Sequence, residues 1–237
     1  MSVELGKAPW SVVGVAAGHA MLTTGKQSRW IDLRTWPGKL LPLRDEHVQA
    51  VCDGATLTGA RVWTWAAPDK KRTEIALPSD GWLAIGKLDG ALCVAGKAVM
   101  TVEGKLLAEG GDAPLAAFAG DLVCCGGRVF RALAVIDDLP PQITSVIGTS
   151  DGLIAIGGKK LVEIEGRRWN ETKLSIDATT VMTYDGALVL GDGRRYWRYD
   201  GNSIEPFDLG VPEVTALIAA PCGLVALIGS TLVRLRV

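Results

Sequence analysis

Hydrophobic residues come in short runs broken by glycine along the whole chain. Ala187-Leu-Val-Leu190, Leu153-Ile-Ala-Ile156 and Leu224-Val-Ala-Leu-Ile228 are of this kind, each held between two glycines. A further segment then follows in which bulky and polar residues interleave. Its seven copies are Trp30-Ile-Asp-Leu33, Val62-Trp-Thr-Trp65, Val99-Met-Thr-Val102, Val129-Phe-Arg-Ala132, Leu161-Val-Glu-Ile164, Tyr196-Trp-Arg-Tyr199 and Leu232-Val-Arg-Leu235. Successive side chains of a strand point to opposite sides. The second and fourth positions therefore form an apolar face, while the third carries Asp, Thr, Glu or Arg. Segments this short, interrupted by glycine every few residues, do not sustain helices.

The breaks are periodic. Gly18, Gly54, Gly90, Gly120, Gly152, Gly186 and Gly223 mark equivalent turns, and a second glycine follows each at Gly25, Gly59, Gly96, Gly126, Gly157, Gly191 and Gly229. An apolar strand precedes each marker, for example over Trp82–Leu88, Ile143–Thr149 and Glu213–Ala219. A more polar fourth strand closes the unit, as in Thr73–Leu77, Leu106–Glu109, Glu171–Ser175 and Ser203–Leu209. Asp-Gly between short apolar strands favours tight hairpins. Four antiparallel strands repeated in units of roughly 34 residues predict a β-propeller. The seventh unit, from Glu213, stops after its third strand, whereas Ser2–Gly6 has no unit of its own. Ser2–Gly6 is therefore expected to supply the last blade's fourth strand, protecting two sheet edges. The expected architecture is all-β: a seven-bladed propeller in one domain over residues 1–237.

The stretch YDGALVLGDGRRYWRYDG, Tyr184–Gly201, contains the repeat in its fullest form. It resembles the repeats of bacterial β-propellers of the two-component-regulator and PQQ-like type: Asp-Gly, a short strand, Gly, then an aromatic-polar-aromatic strand ending in Asp-Gly. The usual Trp of the second strand is missing, as is the Gly-His…Trp-Asp signature of WD-repeat proteins. The resemblance implies a propeller platform and specifies no activity, cofactor or partner.

Charge narrows the function classes. The 25 Lys and Arg against 26 Asp and Glu give a net charge of −1, so the global basic excess expected of a nucleic-acid or anionic-membrane binder is absent. No apolar run reaches the ~20 residues of a membrane helix. The segment after Glu4 lacks the basic start of a signal peptide and reads as a strand-turn-strand. Five cysteines, mostly inside or beside apolar segments, fit buried free thiols in a reducing compartment, and a cytoplasmic location is expected.

No residue set carries a catalytic or cofactor signature. Gly18–Ser28 approaches a phosphate-binding P-loop, but Ala20 and Gln27 replace its required Gly and Ser/Thr, and a strand follows. His19 and His47 are the only histidines, and no Cys-x-x-Cys occurs, so no metal site is assigned. The Asp residues of Asp53-Gly54, Asp89-Gly90, Asp151-Gly152 and Asp185-Gly186 are read as turn formers.

The turns between second and third strands are different. Lys26 and Arg29, Arg61, Lys97, Arg128, Lys159 and Lys160, and Arg194 and Arg195 place cations at one topological position in six units. Acidic connections, among them Asp45-Glu46, Asp112 and Asp137-Asp138, share that end of the blades. Of the eight Trp, Trp30, Trp63, Trp65 and Trp197 belong to third strands, and Trp10, Trp82, Trp36 and Trp169 sit at connections, where aromatics make binding hot spots.

The chain is thus expected to be a non-catalytic protein-interaction module or scaffold subunit, without cofactor and suited to a place in a larger complex. Trp10, Arg44, His47, Trp82, Arg128, Lys159, Arg194 and Arg195 are the expected contacts for a protein partner with an acidic surface. Acidic residues beside them argue against nucleic acid, and no membrane insertion is expected. The alternative is a carbohydrate-binding propeller stacking sugars on Trp36, Trp169 or Trp197; a propeller hydrolase or lyase is a third class.

Overall fold

The computed structural model describes residues 2–7, 9–68 and 70–236. Among them are 28 strands and no helix, arranged as seven four-stranded antiparallel sheets, the blades of a β-propeller.

The chain divides into two compact units. The first comprises the chain up to Ile75 together with the stretch from Asp208, and it holds three blades. One blade joins β1 (Ser2–Glu4) to β26 (Ala216–Ala220), β27 (Gly223–Ile228) and β28 (Thr231–Arg234). Another is formed by β2 (Ser11–Ala16), β3 (His19–Thr23), β4 (Ser28–Asp32) and β5 (Lys39–Leu40). The third contains β6 (Ala50–Cys52), β7 (Ala55–Thr58), β8 (Arg61–Thr64) and β9 (Thr73–Ala76). The expected closure is present: β1 pairs with β28 in the register Ser2↔Val233, Val3↔Leu232 and Glu4↔Thr231. The Leu5 amide then donates to the Ser230 carbonyl at 2.9 Å.

The second unit, Ala76–Phe207, holds four blades. They are β10 (Ala84–Leu88) to β13 (Leu106–Glu109) with β11 (Ala91–Ala95) and β12 (Ala98–Thr101) between; β14 (Ala116–Ala119), β15 (Leu122–Cys125), β16 (Arg128–Arg131) and β17 (Ala134–Asp138); β18 (Ser145–Gly148), β19 (Gly152–Gly157), β20 (Lys160–Glu165) and β21 (Arg168–Lys173); and β22 (Thr180–Tyr184), β23 (Ala187–Gly191), β24 (Tyr196–Tyr199) and β25 (Ile204–Pro206). Most edges fall within a few residues of expectation, although the fourth strand expected over Glu171–Ser175 begins earlier, at Arg168.

The alternation explains how blades stack. In β20, Val162 and Ile164 pack with Leu115, Cys124 and Val129 of the preceding blade. Leu161 packs with Leu188 and Leu190 of the following one. Third strands therefore need apolar residues on both faces, which the repeat supplies at its first, second and fourth positions. In the first unit, Ile31 and Leu33 likewise join one cluster with Val225 and Leu232. Trp30 joins another with Met21 and Val48, against which Trp65 packs.

The Asp-Gly turns work through the backbone. Asp89 and Gly90 have φ of 48° and 80°, and Asp185 and Gly186 have 49° and 70°. Two successive positive φ values are what a two-residue hairpin of the right twist requires, and Asp and Gly tolerate them. Gly152 is needed for a different reason, since a Cβ there would meet the Ile164 carbonyl oxygen at 1.9 Å.

Candidate functional site

Two of the expected contact residues are withdrawn from the surface. Trp10 is only 4% exposed, buried in the cluster of Leu5, Ile31, Ile218 and Leu227, and Trp82 is 7% exposed with its indole N–H donating to the Ser79 carbonyl at 2.8 Å. At the entry to a first strand, a large apolar ring gains more by filling the space beside the blades than by standing in water. The aromatics of the carbohydrate alternative are also drawn inward. Trp197 is buried, while Trp36 and Trp169 are half-buried against apolar clusters.

The expected turn cations cluster at the junctions of second and third strands, with Arg29, Arg61, Arg128 and Lys160 inside the third strands themselves, and many are neutralised within their own blade. Arg128 Nε donates to Asp138 at 2.9 Å, Lys97 Nζ to Asp112 at 2.9 Å, and Lys160 Nζ to Glu171 at 3.1 Å. Arg195 meets Asp192 at 3.3 Å and lies over Trp197, and Arg61 meets Glu74 at 3.5 Å. Asp137 and Asp138, expected in a connection, belong to β17, where Asp138 is the cross-strand partner of Arg128. Opposite charges placed across adjacent strands satisfy one another. Lys159 and Arg194 are exposed at their turns, and the Arg194 amide donates to Asp192 at 2.9 Å.

Arg44 stands in another setting, inside the first unit. Its backbone is fixed to β4 by two hydrogen bonds, Ser28 N to Arg44 O and Arg44 N to Ser28 O, both 2.9 Å. The Leu41 amide donates to the Trp30 carbonyl at 2.9 Å, so residues 41–44 are held along the strand. Beside them opens a pocket of about 620 Å³ lined by Arg29, Trp30, Lys39, Leu40, Leu41, Pro42, Arg44 and Pro68. Three of these residues are cationic, and no described lining residue is acidic. Arg29 Nε is buried without a hydrogen-bond partner. Burial, and then the nearby Arg72, lower the pKa of Arg44. Arg72 itself is engaged, bonded to Glu46 and stacked 4.4 Å over the Trp63 ring. His47 is exposed nearby, its Nδ1 donating to the Thr24 carbonyl at 2.8 Å.

Lys39 was not legible as part of this pocket because β5 has only two residues and no apolar pattern of its own. Arg29 fell among the turn cations, which sequence alone could not divide into paired and unpaired.

The second unit contains the opposite arrangement. A cavity of about 420 Å³ is lined by two sets of turn residues, Thr149–Gly152 and Tyr184–Ala187, together with Glu163, Glu165, Tyr199 and Asp200. Burial, and then Glu165, raise the pKa of Glu163. Asp185 is approached by Arg198 at 3.6 Å.

No protein-family model matches the chain, and no curated protein matches it. Solved structures do. The chain is similar to BBS1N, in a structure described as its complex with ARL6DN soaked with lead: TM-score 0.64, 12% identity, covering 96% of this chain and 91% of that one. The N-terminal domain of Nup159 matches with TM-score 0.59 and 11% identity, covering 97% and 89% of the two chains. The computationally designed Ika8 protein matches with TM-score 0.57 and 14% identity over 98% of each chain. At these identities the likeness establishes the fold alone.

Proposed function

We propose that this chain is a non-catalytic protein-interaction module that receives an acidic segment of a partner protein at the pocket framed by Arg29, Lys39 and Arg44. The observation that carries this reading is the concentration of three cations on one pocket without an acidic residue among its described lining. The paired turn cations offer little comparable attraction, because exposed ion pairs leave no excess charge and contribute little on their own. A rigid sheet frame presenting loops is a common basis for binding. BBS1N, solved as a complex with ARL6DN, is a protein of this fold with a protein partner. Four buried cysteines and a half-buried fifth fit a reducing, cytoplasmic setting.

A Glu-rich peptide titrated by calorimetry tests the reading. Saturable binding is expected, weakening as salt rises and lost in Arg44→Glu. Binding that Arg44→Glu leaves unchanged would sink it, as would preference for a Lys-rich peptide.

A further inference from the structure

We propose that the pocket beside β4 and β5 takes a phosphoryl group, carried on a phosphorylated serine or threonine of the partner's acidic segment. The inference rests on the reading above and names the group for which the pocket is built.

Charge comes first. Arg29, Lys39 and Arg44 line the pocket, so a single carboxylate would leave most of its positive charge unanswered. A phosphate monoester carries close to two negative charges at neutral pH and three acceptor oxygens. That matches three donors of positive charge better than a carboxylate's one charge and two oxygens. Two guanidinium groups also provide the planar, forked donors that suit phosphate oxygens.

The pocket also leaves donor capacity unused. Arg29 Nε is buried and unpaired. A buried donor without a partner is costly, and the charge of an anion beside the Arg29 guanidinium would offset part of that cost. Arg44 is desolvated and stands near Arg72, both of which penalise its charge. Glu46, bonded to Arg72, offsets only part of this, and no described lining residue supplies a carboxylate of its own. The bonds between Ser28 and Arg44 hold the backbone in place before any ligand arrives, which limits the ordering cost of binding.

The surroundings favour a peptide as the bearer of that group. Asp45 and Glu46 follow Arg44 directly, and Asp45 is exposed, accepting from Gln27 Nε2 at 2.9 Å. A broad anionic membrane would press against the Asp45 carboxylate, whereas a phosphoryl group on a single side chain can reach past it. Leu40, Leu41, Pro42 and Pro68 provide apolar walls for the stem carrying the phosphate, and Leu43, 40% exposed, lies beside them.

The test compares a phosphoserine peptide with neutral flanks, its unphosphorylated twin and its Ser→Glu form, titrated by calorimetry at fixed salt. Inorganic phosphate serves as a competitor, and vesicles containing phosphatidic acid as a separate arm. The phosphoserine peptide is expected to bind saturably, about tenfold or more tighter than either other peptide, with inorganic phosphate displacing it. Arg44→Ala and Lys39→Ala should each weaken it by about tenfold, while Arg195→Ala should not. Lys39 is exposed, so its variant keeps the test decisive if replacing Arg29 or Arg44 harms folding. Equal binding of the phosphoserine and Glu peptides overturns the phosphoryl assignment but leaves the acidic-partner reading standing. Failure of both peptides and the Glu-rich probe removes both. Binding to vesicles alone, or binding indifferent to Arg44 and Lys39, also overturns the assignment.

Discussion

Asp32 and Glu163 occupy the same place in the repeat, the third position of a third strand, yet their environments are opposite. The residue two further along decides each case, on the same face of β20 for Glu163 and in the bend just past β4 for Asp32. For Asp32 it is Arg34, which bonds the carboxylate through its side chain at 2.9 Å and its amide at 3.0 Å. These contacts hold the pKa of Asp32 down at about 2. For Glu163 it is Glu165, and burial together with this like charge pushes the pKa up. One scaffold position thus supports a firmly ionised carboxylate in the first unit and one that resists ionisation in the second. The repeat fixes where a side chain stands, while its chemistry comes from variable neighbours that the fold does not constrain.

The largest effect comes from removing the frame next to one member of the pair. Trp30 is 3% exposed, lies edge-on to Trp65 at 5.5 Å, and packs near His19. Trp30→Ala should cost about 3–5 kcal/mol in denaturant unfolding. Tyr184, which lines the Glu163 cavity, is half-buried, and Tyr184→Ala should cost clearly less. Equal losses would mean that the two regions are framed alike.

Exchanging the neighbouring charges should reverse the contrast itself. In Arg34→Glu, carboxyl titration followed by NMR should place the pKa of Asp32 higher, while Glu165→Arg should bring that of Glu163 down. Stability should follow with opposite signs. The contribution of Asp32 is present above its unfolded pKa of 3.8 and is lost as pH falls toward 2, so Asp32→Asn should flatten the acid limb in that window. Glu163 destabilises as pH rises from its unfolded value of 4.5 through its raised folded value. Glu163→Gln should therefore melt higher than the parent at pH 7, with the gain gone below about pH 4.5. A gain that persists in acid would show that relieved charge is not its cause.

The smallest effects are expected where charge is already balanced. The Lys97–Asp112 pair is 77% and 95% exposed on its two side chains. Lys97→Ala should leave the denaturant unfolding midpoint essentially where it is and leave acidic-peptide binding unchanged. A marked loss of binding in that variant would return the turn cations to the interaction surface.

The blades were legible because glycine turns and two-faced third strands are local signals that repeat. Closure by Ser2–Glu4 was legible too, since a missing fourth strand and an unassigned first one complement each other. The proposed interaction site was less so. Whether Trp10 faces water or a neighbouring blade depends on the space left between blades, which its own segment does not encode. Whether Arg128 is free or neutralised depends on Asp138 lying opposite it, and that register is set by the short, weakly patterned β17. The basic pocket combines Arg29, Lys39, Arg44 and Pro68 from two blades, so no single segment announces it.

The pairing of β1 with β28 also has a consequence for the order of events during synthesis. Ser2 is made before its partner Val233, and the strands of the other blades are synthesised between them. At typical elongation speeds that interval is on the order of ten to fifty seconds. The last blade therefore completes its fourth strand only after the other six have been made. Until then β1 waits with an unpaired edge, and its short length and Glu4 limit what else it can pair with.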